Sequence, residues 1–350
     1  MSAVQKLLVL DGIAGIPLGL ELCETLVELG VPCVHFDCLQ GRRKAFHGLR
    51  SAWSKLVKGS RGGQAFHCSP RLVEKDLRRL IGEERPTQIL VVGFIYKFFD
   101  PAYLRVLAEQ AGAGLVLYDT DSCNLYARKR EFVYFIENEL PAYHRILSCS
   151  AVAVRMFRET RGLDAHFVPF GARPLGVVRE LESIDVLFVG SADLRRILLL
   201  EGIRDRVTVR GNRWRRNHAL ISEALRARIE DRPVWGEELH RLLAQSRIVL
   251  NITRSDFYGA ETGINLRIFE AVAAGCFLLT EHTEEICELF RPGEEIETYR
   301  SSRELAEKVE YFLGHEEERE TIALRGHQRF LADHTWRVRL ARQMLPLMEA

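Results

Sequence analysis

The stretch from Ile248 to Glu281 constrains the fold of this chain more than any other. A short apolar run, Ile248–Ile252, is followed by a polar loop with several glycines, a helix-forming segment and a second apolar run. Asn265 stands where a helix N-cap is expected, and Gly275 stands where a left-handed residue ends the helix. The order strand, loop, helix, strand predicts one unit of an α/β fold with a parallel sheet.

A single carboxylate, Glu270, lies in the predicted helix 266–274 among apolar and small residues. Small residues allow such a helix to press against a sheet, so a lone acid there needs a functional reason. The start of this helix is expected at the carboxyl ends of the strands, where α/β sheets bind ligands and where the helix dipole favours anions. The segment therefore predicts a nucleotide site.

Length and composition narrow the class of protein. The 350 residues suit two α/β domains, and the net charge of +1 argues against a protein that coats nucleic acid or a membrane. No apolar run approaches the roughly 20 residues of a membrane span, so we expect no integral membrane segment. The eight cysteines show no CxxC pair or Cys/His metal spacing, which predicts a reduced, cytoplasmic protein without structural zinc.

Strands and helices alternate in both halves of the chain, and Gly171–Ser183 interrupts the rhythm. We therefore predict an N-terminal Rossmann-like domain over residues 1–175 and a C-terminal one over 176–350, which ends in bracing helices. Gly12, Gly15 and Gly19 follow the first strand without G-x-G-x-x-G spacing, which argues against a nicotinamide cofactor. P-loop and G-x-S-x-G motifs are also absent from the sequence.

Several short motifs follow one another from residue 234 onward. They are Val234–Gly236, Leu250–Ile252, Gly263–Glu270, Ala273–Thr280, Glu288–Gly293 and His334–Trp336. In these residues and their spacing the chain resembles the CgeB-like spore-maturation glycosyltransferases, a branch of the group-1 glycosyltransferase superfamily. The resemblance implies the GT-B fold, in which two Rossmann-like domains face each other across a cleft. It implies a nucleotide-sugar donor in the C-terminal domain and an acceptor in the N-terminal domain.

The resemblance also assigns donor-binding residues to the central helix. Glu270 matches the glutamate that accepts hydrogen bonds from the ribose hydroxyls, although a solvent-facing helix glutamate is the alternative. Asn265 and Arg267 lie at the start of the same helix. Asn265 contacts the donor or serves only as a cap, and Arg267 pairs with the diphosphate or with a surface acid.

Two further strand ends are candidates for donor contacts. Gly190 and Ser191, followed by a helix that carries Arg195 and Arg196, are suited to cradle a diphosphate, although a tight turn with two solvated arginines is the alternative. Arg210 and Gly211 end the next strand, where they line the base pocket or form a plain turn.

Candidate catalytic residues are less well defined. Asp119 and Asp121 follow a strand of the first half, where they act as acceptor base or orienting group, or only cap a turn. His282 follows a strand end in the second half. Asp119 and Asp121 have the spacing of a metal-binding pair but lie on the acceptor side. We therefore expect no metal and no cofactor, with the nucleotide sugar as co-substrate.

The sequence departs from the superfamily at Thr262. Relatives with a paired-glutamate motif carry an acid there, eight residues before the equivalent of Glu270. Glu261, one residue away, substitutes only if the loop is rearranged. Contacts to the sugar, and retention or inversion at the anomeric carbon, therefore stay open.

The run Gly41–Gly63 is rich in basic residues and contains no acid. Its cations and interleaved aromatic residues are Arg42, Arg43, Lys44, Arg50, Lys55, Lys58, Arg61, Phe46 and Trp53. Such a run suits an anionic or lipid-linked acceptor, or peripheral contact with a membrane, and it is otherwise a solvated insertion.

The function predicted from these residues is transfer of a sugar from a nucleotide-sugar donor to an unidentified acceptor. Two alternatives stay open at this point. One is a nucleotide-sugar epimerase of the same fold, and the other is a non-catalytic sugar-nucleotide-binding or structural-layer protein.

Overall fold

A computed structural model describes residues 5–13, 16–49, 52, 68–122, 129–176 and 183–349. The chain divides into two compact units. The first runs to Pro169 and includes the end of the chain from Arg339, and the second is Phe170–Val338. The predicted domains meet at residue 175 and place all of the terminal helices in the second domain. The observed units differ from that prediction at both points.

The chain end joins the first unit through backbone carbonyls. Nε2 of Gln88 donates to the carbonyl of Met348 at 2.8 Å. Arg145 donates to the carbonyl of Leu347. Because both partners lie at the start of strands in the first sheet, the last helix closes that end of the sheet.

The first unit contains a six-stranded parallel sheet in the order β2-β1-β3-β4-β5-β6. Its strands are β1 (Leu7–Asp11), β2 (Cys33–Asp37), β3 (Gln88–Val92), β4 (Gly114–Asp119), β5 (Arg145–Ser148) and β6 (Ala165–Phe167). The helices between them are α1 (Leu18–Glu28), α2 (Glu74–Glu84), α3 (Pro101–Ala111), α4 (Lys129–Tyr134) and α5 (Ala151–Arg161). A π-helical turn, Phe135–Glu139, and a 3-10 turn, Leu140–Ala142, continue α4.

The second unit also contains a six-stranded parallel sheet, in the order β12-β11-β10-β7-β8-β9. Its strands are β7 (Ile184–Val189), β8 (Val207–Arg210), β9 (Ile229–Glu230), β10 (Ser246–Asn251), β11 (Leu278–Glu281) and β12 (Glu297–Tyr299). Its first helices are α6 (Leu194–Glu201), α7 (Glu223–Arg226), α8 (Gly236–Ala244), α9 (Ser255–Tyr258) and α10 (Leu266–Ala273).

The chain ends in helices. They are α11 (Glu284–Leu289), α12 (Ser302–Gly314), α13 (Glu316–Asp333), α14 (Trp336–Arg339) and α15 (Leu345–Glu349). A 3-10 turn, Arg215–Leu220, precedes α7, and a π-helical turn, Leu340–Met344, joins α14 to α15. Among the described residues no helix has both the length and the apolar character needed to cross a membrane.

Each sheet is covered on both faces, which is why its strands read as apolar runs. All five residues of β1 are buried, and the first core gathers side chains from β1, β3, β4 and their helices. The second core surrounds the fully buried Trp214 and the β7 and β10 strands. These features confirm the predicted α/β class with two Rossmann-like sheets.

The strand orders place a topological switch point in each unit. In the first sheet β1 lies between β2 and β3, and in the second sheet β7 lies between β8 and β10. Because ligands of open α/β sheets bind at the carboxyl ends of strands beside such a point, the loops after β7 and β10 are the first place to look for a donor site.

Candidate functional site

The loops at the carboxyl ends of β7, β8, β10 and β11 lie together in the second unit. Gly190 and Gly211, which directly follow β7 and β8, approach so closely that a Cβ on Gly211 would lie 1.9 Å from the carbonyl oxygen of Gly190. Gly211 also has φ of +148°, a conformation that favours glycine. Nε1 of the buried Trp214 donates to the Gly190 carbonyl at 3.0 Å. The predicted pair of glycines therefore forms a tightly packed floor.

Arg196 fastens this floor to the next strand end. Its Nε and Nη2 donate to the carbonyl of Ile252 at 3.0 and 2.6 Å, and its Nη1 donates to the carbonyl of Ser191 at 2.9 Å. Burial lowers the pKa of the Arg196 guanidinium to about 10. The side chain predicted for a diphosphate thus holds the β7 and β10 loops together by their backbone carbonyls.

Arg195, which precedes Arg196 in α6, lies beside this floor. Its guanidinium is ion-paired with the buried Glu281 and lies 3.7 Å from the centroid of the Tyr258 ring. The second oxygen of Glu281 accepts from the backbone N–H of Thr253 at 2.7 Å. Although burial opposes it, the hydrogen bond to Glu281 raises the pKa of Arg195 above its usual value. The loops after β10 and β11 are thereby joined to α6.

The start of α10 is fixed by the predicted cap. Oδ1 of Asn265 accepts from the backbone N–H of Arg267 at 3.1 Å, which confirms the N-cap. Nδ2 of Asn265 donates to Oδ1 of the buried Asn251 at 3.1 Å, and Asn251 donates to Thr280 at 2.9 Å. The cap residue therefore locks the helix start against β10 and β11. Gly275 has φ of +68°, so the predicted helix end is confirmed as well.

Glu270 and Arg267 form an ion pair on the partly exposed face of α10. Nη1 of Arg267 donates to Oε2 of Glu270 at 2.7 Å, and the two side chains are 20% and 24% exposed. Within the described part of the chain, Oε1 of Glu270 has no hydrogen-bond partner, and the buried Nε of Arg267 also has none. The carboxylate is therefore partly exposed, with one oxygen paired to Arg267 and the other open to a further donor.

Thr262, which occupies the position of the expected second acid, is buried. Its hydroxyl donates to Oε2 of Glu285 at 2.7 Å, and the backbone N–H of Gly263 donates to the same oxygen at 3.2 Å. Glu285 lies in the first turn of α11 and is also buried. The exposed Glu261 has φ of +56°. A carboxylate therefore contacts this loop, but it belongs to Glu285 in α11 and not to a residue of the loop itself.

The remaining donor-side candidate, Arg210, forms an ion pair with a residue of the neighbouring strand. Its Nε lies 2.9 Å from Oε2 of Glu230 in β9. His282 follows β11, which is separated from β8 by β7 and β10 in the sheet. Nη2 of Arg300 donates to Nε2 of His282 at 2.5 Å. Burial and the charge of Arg300 lower the pKa of His282 below its usual value, so the ring is neutral near neutral pH. Among the described residues, neither Arg210 nor His282 is hydrogen-bonded to Glu270.

Asp119 and Asp121 lie in the first unit, after β4. Asp119 is buried and accepts from the Ser122 and Ser148 hydroxyls at 2.7 and 2.8 Å and from the Ser122 N–H at 2.9 Å. Burial raises the pKa of Asp119, although these hydrogen bonds oppose the shift. The carboxylate thus acts as the anchor of a turn. Asp121 is half-buried, and its backbone N–H also donates to Asp119, at 3.3 Å.

The basic run is paired with acids that the sequence pattern does not reveal. Arg42 binds Asp76 through two nitrogens at 2.8 and 2.9 Å, and Lys44 binds Glu74 at 2.7 Å. Both acids belong to α2. Arg50, Trp53, Lys55, Lys58 and Arg61 lie outside the described residues. Of the three cations Arg42, Arg43 and Lys44 at the described beginning of the run, two are therefore neutralised, Arg42 and Lys44.

The part of the chain that contains these loops is similar to known proteins. Residues 192–345 match a sequence family described as glycosyl transferase-like. This stretch contains the β7, β8, β10 and β11 loops except Gly190 and Ser191. The chain is a glycosyltransferase.

Solved structures extend the likeness to the whole chain and share the GT-B fold. Anabaena HepE in complex with UDP-glucose has a TM-score of 0.65 at 12% identity, covering 99% of this chain and 100% of that chain. A glycosyltransferase from Rickettsia africae ESF-5 has a TM-score of 0.62 at 11% identity, covering 99% of both chains. Sucrose-phosphate synthase from Thermosynechococcus elongatus has a TM-score of 0.63 at 12% identity, covering 98% of this chain and 99% of that chain.

No curated protein matches the chain in sequence. The three structures confirm the GT-B fold, and the family match supports the enzyme class. They lend no support to the epimerase alternative. Glu281 and Glu285 could not be predicted as part of this site, because their roles arise from contacts between loops that are far apart along the chain.

Proposed function

We propose that this glycosyltransferase binds a UDP-sugar in its second unit and transfers the sugar to a hydroxyl of an acceptor. The observation that carries the proposal is the pair Arg267 and Glu270 near the start of a capped helix at the switch point. Oε1 of Glu270 and Nε of Arg267 have no hydrogen-bond partner among the described residues. The UDP-glucose complex of Anabaena HepE, which has the same fold, supports the choice of UDP.

The chemistry of these two groups matches the two polar parts of a nucleoside diphosphate. A carboxylate accepts hydrogen bonds from both hydroxyls of a ribose, and a guanidinium binds phosphate oxygens at two points. In this account Glu270 holds the ribose and Arg267 turns part of its charge to the diphosphate. The positive charge stabilises the diphosphate as it leaves the anomeric carbon, which is electrostatic catalysis.

The residues around Gly190 and Gly211 support donor binding by fixing the loops of the site. Because Gly190 and Gly211 carry no side chains, their backbones pack against each other and hold the ends of β7 and β8 together beside the proposed phosphate position. Arg195 and Arg196 keep the loops after β7, β10 and β11 at fixed positions through Glu281 and Ile252. The site is therefore held in place before the donor binds, which lowers the reorganisation needed for catalysis.

We include in the proposal that turnover needs no divalent metal and that the chain belongs to the CgeB-like branch. The aspartate pair with metal-binding spacing supports the first point, because Asp119 is occupied by serine hydroxyls and backbone N–H groups. Turnover should survive excess EDTA. A loss of activity in EDTA that Mn²⁺ restores would refute this part of the proposal.

The test of the donor is a comparison of nucleotides. Thermal unfolding is measured with UDP, GDP, dTDP and CMP at equal concentration, since a ligand raises stability by RT ln(1 + [L]/Kd). We expect UDP to raise Tm most and UDP-glucose to act similarly. A larger shift with another nucleotide would indicate that the donor carries that nucleotide instead of UDP. No shift with any nucleotide would refute the donor site.

A further inference from the structure

Three leucines of the second unit lie on its surface instead of in its core. Leu194 and Leu198 of α6 are 57% and 64% exposed, and Leu220, in the 3-10 turn before α7, is 56% exposed. Leu194 and Leu198 are four residues apart and therefore share one face of the helix. The opposite face packs into the core through the fully buried Ile197 and Leu200. The outward face of α6 is therefore apolar as well.

The segment 211–222 lies along this helix. The backbone N–H of Ala192, just before the helix begins, donates to the carbonyl of Asn212 at 2.9 Å. The backbone N–H of Ser222 donates to Glu201, the last residue of the helix, at 2.7 Å. Because the segment is fixed at both ends of a helix about 12 Å long, its outward side chains lie beside the exposed leucines of the helix.

The same segment carries three exposed arginines and no acid. Arg213, Arg215 and Arg216 flank Trp214, whose side chain is buried. The guanidinium of Arg215 lies 3.8 Å from Asp231, and the Arg215 side chain is 80% exposed. Among the described residues, the side chains of Arg213 and Arg216 have neither an ion pair nor a hydrogen bond. Two positive charges of the segment are therefore available to an anion.

The acids that contact the segment hold its backbone. Asp231 accepts from the backbone N–H groups of Trp214 and Arg215 at 3.0 and 3.1 Å, and Glu201 accepts from Ser222. Glu223, which follows the segment, is exposed at the start of α7. Aliphatic side chains and positive charge are thus combined on one surface, although the whole chain has a net charge of only +1. We name it the α6 surface; its members are Leu194, Leu198, Arg213, Arg215, Arg216 and Leu220.

This combination of groups determines which partner the α6 surface fits. Guanidinium groups bind phosphate oxygens, and exposed aliphatic side chains are stabilised when they leave water. A bilayer with anionic lipids presents phosphates and hydrocarbon in the same surface. A nucleic acid presents phosphates without hydrocarbon, so it would leave the three leucines in water. The leucines therefore favour a lipid surface over a soluble polyanion.

We propose that the α6 surface binds an anionic membrane, with the arginines on lipid phosphates and the three leucines between the headgroups. The contact is peripheral, because it uses single side chains of a folded unit. It concerns where the enzyme works and not the transfer of the sugar. The proposal is therefore independent of the donor site, and a failure of one leaves the other intact.

The test is sedimentation with vesicles of phosphatidylcholine alone or with 30% phosphatidylglycerol. We expect the wild type to prefer the anionic vesicles and to bind them less in 0.5 M NaCl, since salt screens the charges. Arg213→Gln/Arg216→Gln should lower the partition coefficient about 25-fold, because each arginine near an anionic surface contributes about fivefold. Leu198→Gln/Leu220→Gln should lower it at least ~10-fold, because glutamine does not enter hydrocarbon. Thermal unfolding checks the fold of each variant.

Two matched controls come from other helices of the second unit. Leu324 and Leu331 of α13 are 58% and 44% exposed, and Arg325 and Arg337, in α13 and α14, are also exposed. Leu324→Gln/Leu331→Gln and Arg325→Gln/Arg337→Gln should bind vesicles like the wild type. Equal losses in the controls would indicate unspecific attraction and overturn the α6 surface. Wild-type binding in both α6 variants, or no vesicle binding by the wild type, would overturn it too.

An indole at position 198 reports on insertion directly. With anionic vesicles, the tryptophan emission of Leu198→Trp, after subtraction of the wild-type spectrum, should shift to shorter wavelength and be quenched by brominated lipids, since an indole settles at the membrane interface. Leu324→Trp should show neither effect. Unshifted emission from vesicle-bound Leu198→Trp would overturn the proposal. Binding of heparin that depends on Arg213 and Arg216, without vesicle binding, would assign the surface to a soluble polyanion and overturn it as well.

Discussion

The hydroxyl of Thr262 and the backbone N–H of Gly263 both donate to one oxygen of Glu285, at 2.7 and 3.2 Å. Thr262 and Glu285 are both buried, 1% and 5% exposed. Glu285 therefore fixes the two residues that lead into the Asn265 cap of α10. This contact links α11 to the helix that carries Glu270.

Breaking this contact should cost stability. Glu285→Ala leaves the hydroxyl of Thr262 and the N–H of Gly263 buried without an acceptor, at about 1–3 kcal/mol each. Thr262→Val removes one donor and should cost less. Urea unfolding of both single variants and the double variant measures the coupling energy. Strictly additive effects would show that the two side chains do not act together.

Gly211→Ala tests the tight floor of the donor site. The added Cβ would meet the Gly190 carbonyl at 1.9 Å in a backbone conformation with φ of +148°, so we expect several °C of loss in Tm and weaker UDP binding. Gly314→Ala is the control, because it is helical in the same unit and a Cβ there would meet nothing within 4 Å. That variant should be as stable as the wild type or more so. Equal behaviour of the two variants would refute the close approach.

Much of the second unit can be predicted from its sequence because its signals are local. Asn265, the apolar face of α10 and Gly275 fix a helix by cap, periodicity and end, and the structure has this helix at Leu266–Ala273. The strand predicted at 248–252 is Ser246–Asn251. Short elements escape this approach: β9 has two residues, too few for a period to be detected.

The arrangement of the site is harder to predict, for a physical reason. Arg195 with Glu281, and Thr262 with Glu285, are pairs of residues far apart along the chain, so no spacing rule connects them. The basic run shows the same limit. Its neutralising acids, Glu74 and Asp76, come from α2 about 30 residues later, so a local charge count suggests a free cationic surface.

Glu139 should make the stability of the first unit depend on pH. Burial raises its pKa to about 7, although the N–H groups of Ile95 and Tyr96 and the hydroxyl of Tyr143 donate to it. Its ordinary pKa is near 4.3, so between about pH 4.3 and 7 the folded protein binds more protons than the unfolded chain. Its contribution to stability is therefore greatest below this window and declines as the pH rises to 7.

The corresponding variant is Glu139→Gln, which cannot titrate. We expect the difference in unfolding free energy between wild type and variant to change by up to about 3 kcal/mol across the window, favouring the wild type at the acidic end. Chemical unfolding from pH 4.5 to 7.5 measures it. A difference that stays constant with pH, or that grows in the opposite direction, would contradict the raised pKa.

Calorimetric titration of Glu270→Ala with UDP tests the central claim, that α10 carries the donor site. Loss of two hydrogen bonds to a charged acceptor, with water filling part of the gap, should weaken binding on the order of 100-fold. Glu270→Gln should lose less, because an amide oxygen remains. Glu307→Ala is the control, since Glu307 forms an exposed helical ion pair with Arg303 at 2.7 Å in the same unit. Weak binding confined to the Glu270 variants is the predicted result, and wild-type affinity in a folded Glu270→Ala protein would contradict it.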